Sequence, residues 1–457
     1  MRNATAMTDS PAVDPVDQKL PFGQLLVLGI QHVLVMYAGA ITVPLIIGGA
    51  LKLPPEQIAF LINADLFASG IATLIQTVGI FGFGIRLPVM MGVTFAAVGP
   101  MIAIGTTPGL GILDIFGAGL VAGAIGMIIA PFVSRLIAWF PPVVTGTVIT
   151  VIGVTLMEVA INWAGGGVGN PHFGNPVYLG VSFAVLVFIV AFMRFGSGFI
   201  GRIAVLLGIL FGFIVAALLG KVSLAGVDSA PWLAVVMPFH FGWPHFNVSA
   251  IIAMTIVLLV TYIESTGMFL AVGEIVGRPV DSKALTRGLR TDGIGTFIGA
   301  VFNTFPYTSY SQNVGLVGVT GVRSRWVCVT GAVILIVLGL VPKMAIVVAA
   351  VPQFVLGGAG IVMFGMVAAT GIKILAGNDF VGNRNNLYVV AISLGIGLIP
   401  MVSKQFFSAL PVELAPLLHS GILLASVSAV VLNMIFNGVR SPRDSRVIST
   451  AIKTENS

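Results

Sequence analysis

Long apolar runs, each cut off by a short polar or turn-forming stretch, recur between residues 25 and 436. A run reads as a membrane span when about 20 apolar residues follow one another, fewer where the helix is broken. Fourteen segments are predicted, near 23–43, 58–80, 88–105, 112–132, 137–162, 178–195, 202–220, 248–275, 289–303, 306–321, 327–350, 354–373, 386–403 and 413–437. Most are rich in Val, Ile, Leu, Gly and Ala, the mix expected of helices that pack through small residues in lipid. Two differ. Around 87–95 and again around 305–313, a proline (Pro88, Pro306) opens a stretch of extended or polar character before a short apolar helix. Neither is continuous enough to be one spanning helix, so short strands are expected in the third and tenth segments.

These two segments lie seven spans apart, and an odd offset inserts the second half upside down relative to the first. That is the inverted-repeat plan of many secondary transporters, in which paired broken segments mark a binding site near the bilayer midplane. Ordinary proline kinks, which spanning helices tolerate, are the alternative reading.

Composition agrees with lipid as the solvent. The 457 residues are 57% hydrophobic and only 8% charged, with a mean hydropathy of +1.08, whereas a soluble domain carries about 25% charged residues. One all-α integral membrane domain is expected. A net charge of +6 would point to nucleic acid in a soluble protein, but the placement of the basic residues explains it better. With the N-terminus inside, eighteen of the 22 Lys and Arg fall on the inner side, Arg135 among them, and only Lys52, Lys221, Lys343 and Lys404 fall outside. This asymmetry follows the positive-inside rule and predicts cytoplasmic termini and no nucleic-acid partner. The first nineteen residues are polar and predict no cleavable signal peptide. Cys328, the single cysteine, allows no intrachain disulfide and reads as a small packing residue. Residues 165–176 and 221–246 read as outer loops. Their His172, His240 and His245 lack partners at ligand spacing, so surface positions and no metal site are expected.

A charge at the bilayer centre costs at least about 2.5 kcal/mol on the insertion scale, so each one needs a reason. Asp65, Glu264 and Asp292 fall inside apolar segments, as do Gln31 and His32 in the first and Gln312 and Asn313 at the second broken element. Glu158 and Asp114 lie near outer ends and read as interface residues. Glu264 is the strongest functional candidate, because a carboxylate there accepts N–H groups of a planar ligand and its protonation changes affinity; a structural carboxylate is the alternative. Asp292 follows Arg287 and Arg290 near an inner helix end, so an acid stabilising the helix dipole is an open reading. Gln31 and His32 read as a hydrogen-bonding pair holding the first helix against the binding elements. For Asp65 no partner is visible. The Gln312 and Asn313 carboxamides present an acceptor and two donors each, matching the alternating C=O and N–H edge of a purine dione. Backbone N–H groups at the two short-helix starts add donors suited to an anion such as urate.

The run Gln312-Asn313-Val314-Gly315 with Thr320-Gly321 resembles the signature of the nucleobase-ascorbate transporter family. Gln31-His32 resembles that family's first-span motif, and Glu264-Ser265-Thr266-Gly267 and Thr291-Asp292-Gly293 resemble its eighth- and ninth-span acidic motifs. Within the family the chain looks most similar to bacterial urate and xanthine permeases. The resemblance implies fourteen spans in two inverted sevens. A core domain would comprise 21–135 and 247–350, a gate domain 136–222 and 351–437, flanked by cytoplasmic tails 1–20 and 438–457, with a homodimer formed through the gate. It implies that Glu264 and Gln312 bind the base, that backbone at Phe95 and Ser311 completes the site, and that Thr94 lines it. Asn313 would orient the site, and His32 and Asp292 would support affinity and proton coupling. Uracil carriers have Glu where Gln312 stands and His where Met268 stands, and xanthine carriers often have an acid at Met268, so Met268 here fits urate or a dual carrier. The last signature position is Gly321 rather than a basic residue.

The expected function is proton-coupled import of urate or xanthine by alternating access, with no cofactor besides the proton and no catalytic residues. An anion exchanger or channel of the same inverted-repeat fold, or a carrier for guanine or uracil, is the alternative. Sodium coupling would need a cluster of hard oxygen ligands near the site, and the sequence shows no such cluster.

Overall fold

The computed structural model describes residues 14–132 and 141–438. Arg135, the start of the fifth predicted segment, the core–gate boundary and nearly all of the C-terminal tail lie outside them. The first repeat runs α1 (Phe22–Ala50), α2 (Pro55–Val78), strand β1 (Met91–Val93), a 3₁₀ turn (Phe95–Ala97), α3 (Val98–Thr106), α4 (Ile112–Ile129), α5 (Pro142–Ala164), α6 (Pro176–Phe195), a short α7 (Phe199–Arg202) and α8 (Ala204–Leu218). The second runs α9 (Val248–Val276), α10 (Ser282–Val301), strand β2 (Tyr307–Ser309), α11 (Ser311–Thr320), α12 (Trp326–Gly339), α13 (Pro342–Ala349), α14 (Gln353–Ala376), α15 (Asn385–Val402), α16 (Ala415–Leu418) and α17 (Gly421–Asn437). Among the described residues, eight helices are long and apolar enough to cross a membrane, or ten if two bent pairs each count as one span. The protein is therefore a multi-pass membrane protein.

The bends correct the sequence reading, which treated 327–350 and 413–437 as continuous. The first turns by 81° between Gly339 and Pro342. Pro342 has no N–H to continue α12 and instead opens α13 at its first position, where that donor is not needed. The second turns by 73° at Gly421, where the Ser420 side chain accepts from the Leu423 amide and starts α17 afresh. The ninth segment also begins earlier than its apolar run. Asp281 caps α10 by accepting from the Ala284 amide at 2.6 Å, so the helix starts at Ser282.

Helices sort into two packed groups. In one, α2 lies along α12 and α4 along α10; in the other, α5 lies along α14 and α15 along α17. Glycine permits the close approaches. A Cβ at Gly70 would lie 2.6 Å from the Ala332 carbonyl, and one at Gly123 would lie 2.7 Å from the Phe297 amide nitrogen. With lipid on both sides, tight backbone packing of this kind replaces the hydrophobic drive available in water.

Residues 14–19 are not a loose tail. Val16 is fully buried and its carbonyl accepts from the Arg325 amide. Asp17 accepts from Arg325 Nε at 2.6 Å and from Arg278 Nη1 at 3.3 Å. Arg325 also donates to the Thr77 and Val78 carbonyls at the end of α2, where a cation suits the helix dipole. Burial alone would raise the Asp17 pKa, but the Arg325 hydrogen bond and the charges of Arg325, Arg278 and Arg86 outweigh it and hold the carboxyl below its usual range.

Candidate functional site

The two broken segments meet as an antiparallel pair. Met91 faces Ser309, Gly92 faces Thr308 and Val93 faces Tyr307, and the ladder is extended by the Thr94 amide donating to Pro306 and the Tyr310 amide to Met90. Gly92 is required here, because a Cβ would overlap the Tyr310 ring. Each strand is also held by a hydroxyl on the helix before it. The Met91 amide donates to Thr73 Oγ1 at 2.9 Å and the Tyr307 amide to Thr296 Oγ1 at 3.2 Å.

From this crossing two helices start, the 3₁₀ turn and α3 at Phe95 and α11 at Ser311. The first-turn amides of a helix have no partner within it, so both starts offer donors. Thr94 is buried and its hydroxyl caps the first turn by accepting from the Ala96 amide. The Phe95 ring is half-buried and meets Phe364 of α14 edge-on, with centroids 5.8 Å apart. Ser311 and Gln312 are exposed, and the Ser311 hydroxyl lies 3.4 Å from Gln312 Oε1.

Glu264 stands a little past the middle of α9, which packs against both β2 and α11. Its neighbour Ser265 fixes the register of that contact, 3.2 Å from the Thr308 hydroxyl and accepting from the Ser309 amide at 3.4 Å. Glu264 is half-buried and, among the described residues, has no hydrogen-bond or ion-pair partner. Met268, one turn further along α9 and also half-buried, shares its face. Glu264, Met268, Ser311 and Gln312 thus stand on two helices in contact, beside the start at Phe95.

Asn313 points the other way. Its amide nitrogen lies 3.1 Å from His32 Nδ1 and donates to the His32 carbonyl at 2.8 Å, pinning α11 to α1. Its Oδ1 is buried without a partner. His32 is buried, with Cys328 Sγ 3.9 Å from its ring. Gln31 corrects the pairing read from sequence: it is half-buried and forms none of these bonds. Asp292 is fully buried, and both of its carboxyl oxygens lack a hydrogen-bond partner. It lies three turns into α10, far from the cap at Asp281, which removes the helix-dipole reading.

Sequence reasoning missed the hydroxyls of Thr73, Thr296, Ser265 and Thr308; their signal was polar residues inside apolar runs, too common to single out. Asp114 is also revised. It is buried and caps α4 by accepting from the Gly111 amide at 2.9 Å. His172, His240 and His245 are exposed, although His240 stacks on Phe60 at 3.9 Å. No group of three metal-ligating side chains occurs among the described residues.

A cavity of about 480 Å³ lies elsewhere. It opens between α1, α3, α5, α14, α15 and α17, is ringed by Lys52, Glu158, Asn162, Gln353, Lys404 and His419, and descends to Gly99, one turn from Phe95. Glu158 pairs there with Lys404 at 2.6 Å. Neither Glu264 nor Gln312 reaches it.

Residues 23–406 match the model of a permease family. The chain is 59% identical to the uric acid transporter UacT of Escherichia coli, over 94% of this chain and 90% of that protein. It is 46% identical to the xanthine permease of Bacillus subtilis, over 91% of this chain and 94% of that one. In fold it is similar to the transmembrane domain of the cyanobacterial bicarbonate transporter BicA, with a TM-score of 0.57 at 16% identity, covering 91% of this chain and 99% of that domain.

Proposed function

The chain belongs to this permease family, the nucleobase-ascorbate transporters, and from that membership we propose that it imports an oxidised purine, urate or xanthine, together with protons. Membership makes it a permease rather than an enzyme. One observation carries the substrate reading: Glu264, an acid with no hydrogen-bond or ion-pair partner among the described residues, and Gln312, a carboxamide whose Oε1 meets the adjacent Ser311 hydroxyl and whose amide nitrogen is left for a ligand, stand on contacting helices beside the crossing of the two strands.

A purine dione presents alternating C=O and N–H groups along one edge. The Gln312 carboxamide supplies an acceptor and two donors to that edge, and the orphan amides at Phe95 and Ser311 supply more. Ionised Glu264 accepts a ring N–H; protonated, it also donates. Proton and purine are thereby linked at one side chain, and neutralising the acid removes a charge that would otherwise resist movement through the membrane interior. Thr94 and Met268 line the site, and Asn313, His32 and Asp292 support it.

The two packed groups support a mechanism of alternating access. We assign 21–135 and 247–350 to a core that carries the site and 136–222 and 351–437 to a gate, giving fourteen spans in two inverted sevens, with a homodimer through the gate. The position is the inner membrane of a bacterium with both termini cytoplasmic, in line with the 18-to-4 split of basic residues. Relatives transporting uric acid and xanthine support the substrate class.

Uptake of labelled urate and xanthine into cells, with and without a protonophore, tests the proposal. Accumulation that collapses with the protonophore is expected, and Glu264→Gln should abolish accumulation at normal membrane abundance. Near-normal accumulation by that variant would remove Glu264 from the mechanism, and protonophore-insensitive accumulation would remove the proton.

A further inference from the structure

Asp65 has no part in the mechanism above, yet it is fully buried near the middle of α2. An acid at this depth costs at least about 2.5 kcal/mol on the insertion scale, and no cation pairs with it among the described residues. Its partners come from the other repeat. The Tyr307 hydroxyl lies 2.8 Å from Asp65 Oδ1 and 3.1 Å from the Asp65 carbonyl, and Thr304 Oγ1 donates to the same Oδ1 at 3.2 Å. The other oxygen, Oδ2, is buried and bare. Room for the Tyr307 ring is made by Gly299, where a Cβ would come within 2.6 Å of Tyr307 Cε2.

Two turns further along α2, Thr73 accepts from the Met91 amide of β1. One helix therefore fastens both strands, β1 through Thr73 and β2 through Asp65. Tyr307 begins β2, and Ser311 opens α11 four residues later. A shift of the Tyr307 anchor moves the start of α11, and with it the Ser311 amide and the Gln312 carboxamide.

We infer that Asp65 is a positioning residue of the substrate site, acting through the Tyr307 hydroxyl to set where β2 delivers Ser311 and Gln312. This inference rests on the purine-binding reading for its functional readout, but the contact itself is measurable without a substrate. Displacements of this kind weaken binding by an order of magnitude or more without abolishing the fold.

The experiment measures urate uptake kinetics and the thermal stability of the purified protein for wild type, Asp65→Asn, Asp65→Ala, Tyr307→Phe and the Asp65→Ala/Tyr307→Phe double variant. Asp65→Ala and Tyr307→Phe should each raise KM about tenfold at matched membrane abundance. The double variant should be no worse than either single one, as expected for two partners of one contact. Asp65→Asn keeps an acceptor for the Tyr307 hydroxyl and should restore KM to within about threefold of wild type. A wild-type KM in Asp65→Ala, or effects that multiply in the double variant, would overturn the inference. If Asp65→Ala does not reach the membrane, Tyr307→Phe and Asp65→Asn still decide it, because only a lost hydrogen bond separates their KM values. Absence of purine uptake by wild type would instead count against the functional reading, and the stability cycle would then test the Asp65–Tyr307 contact alone, with additive losses overturning it.

Discussion

After strand β1 the chain turns into packed apolar structure: Thr94 is buried, and Val98, Pro100, Met101, Ala103 and Ile104 bury one side of α3. After β2 it does the opposite. Ser311, Gln312, Gly315 and Gly318 form an exposed strip along α11, while Asn313, Val314, Leu316 and Val317 are buried. The two elements share a backbone plan of proline, short strand and helix start. They do not share side-chain chemistry. The two elements thus share a scaffold and its orphan amides, while hydrogen-bonding side chains are supplied by one and an apolar wall by the other.

The largest effect should come from the crossing that both elements share. Gly92→Val places side-chain atoms inside the Tyr310 ring, so the strand pair cannot form, and folded protein recovered from membranes should fall below detection on a size-exclusion trace. Recovery of folded, active protein would mean that the strands tolerate separation and that the common scaffold matters less than the side chains upon it.

A contrast between the elements comes next. Gln312→Ala removes both hydrogen-bonding functions that the proposed site offers a purine and should lower the kcat/KM for urate uptake about 100-fold. Phe95→Ala leaves the backbone amide in place and removes the packing of the ring, the contact with Phe364 included, so a loss below about tenfold is expected. If the two losses were equal, or reversed, the division between a backbone-donating element and a side-chain-donating one would not hold.

The smallest effect concerns the far end of the second element, where Arg325 is tied to Asp17. Asp17 is depressed in the folded state, so its contribution is fully present above the ordinary value of 3.8 and is lost as pH falls below it through the folded value. Asp17→Asn should cost about 1 kcal/mol near pH 7, because the pair is partly solvated. Melting of the purified protein at pH 7 and at pH 3 checks this, with the gap between variant and wild type narrowing at the lower pH. An equal gap at both values would show that the strap holds through packing of Val16 rather than through charge.

Much of this contrast was legible in the chain. Pro88 and Pro306 marked both interruptions, and Glu264 and Gln312 stood out because few polar groups occur at that depth. What escaped was relational. Asp65 meets Tyr307 across 242 positions, and no local pattern names that partner. The bends at Pro342 and Gly421 were hidden because hydropathy averages over a window and does not register a change of direction. The start of α10 was missed for the reverse reason, since 282–290 carries Lys283, Arg287 and Arg290 and looks unlike a span although Asp281 caps it. The large cavity is assembled from six helices, each apolar in isolation, and becomes visible only when they are packed together.

The lone thiol has a practical meaning. Cys328 is fully buried behind His32, and a shielded thiol reacts slowly with water-borne maleimides. The natural chain is therefore close to a silent background for chemical labelling. Single cysteines placed at 315 and 318 would report, by their labelling rate from either side of a sealed vesicle, which compartment the strip beside Gln312 faces and whether a bound purine changes it.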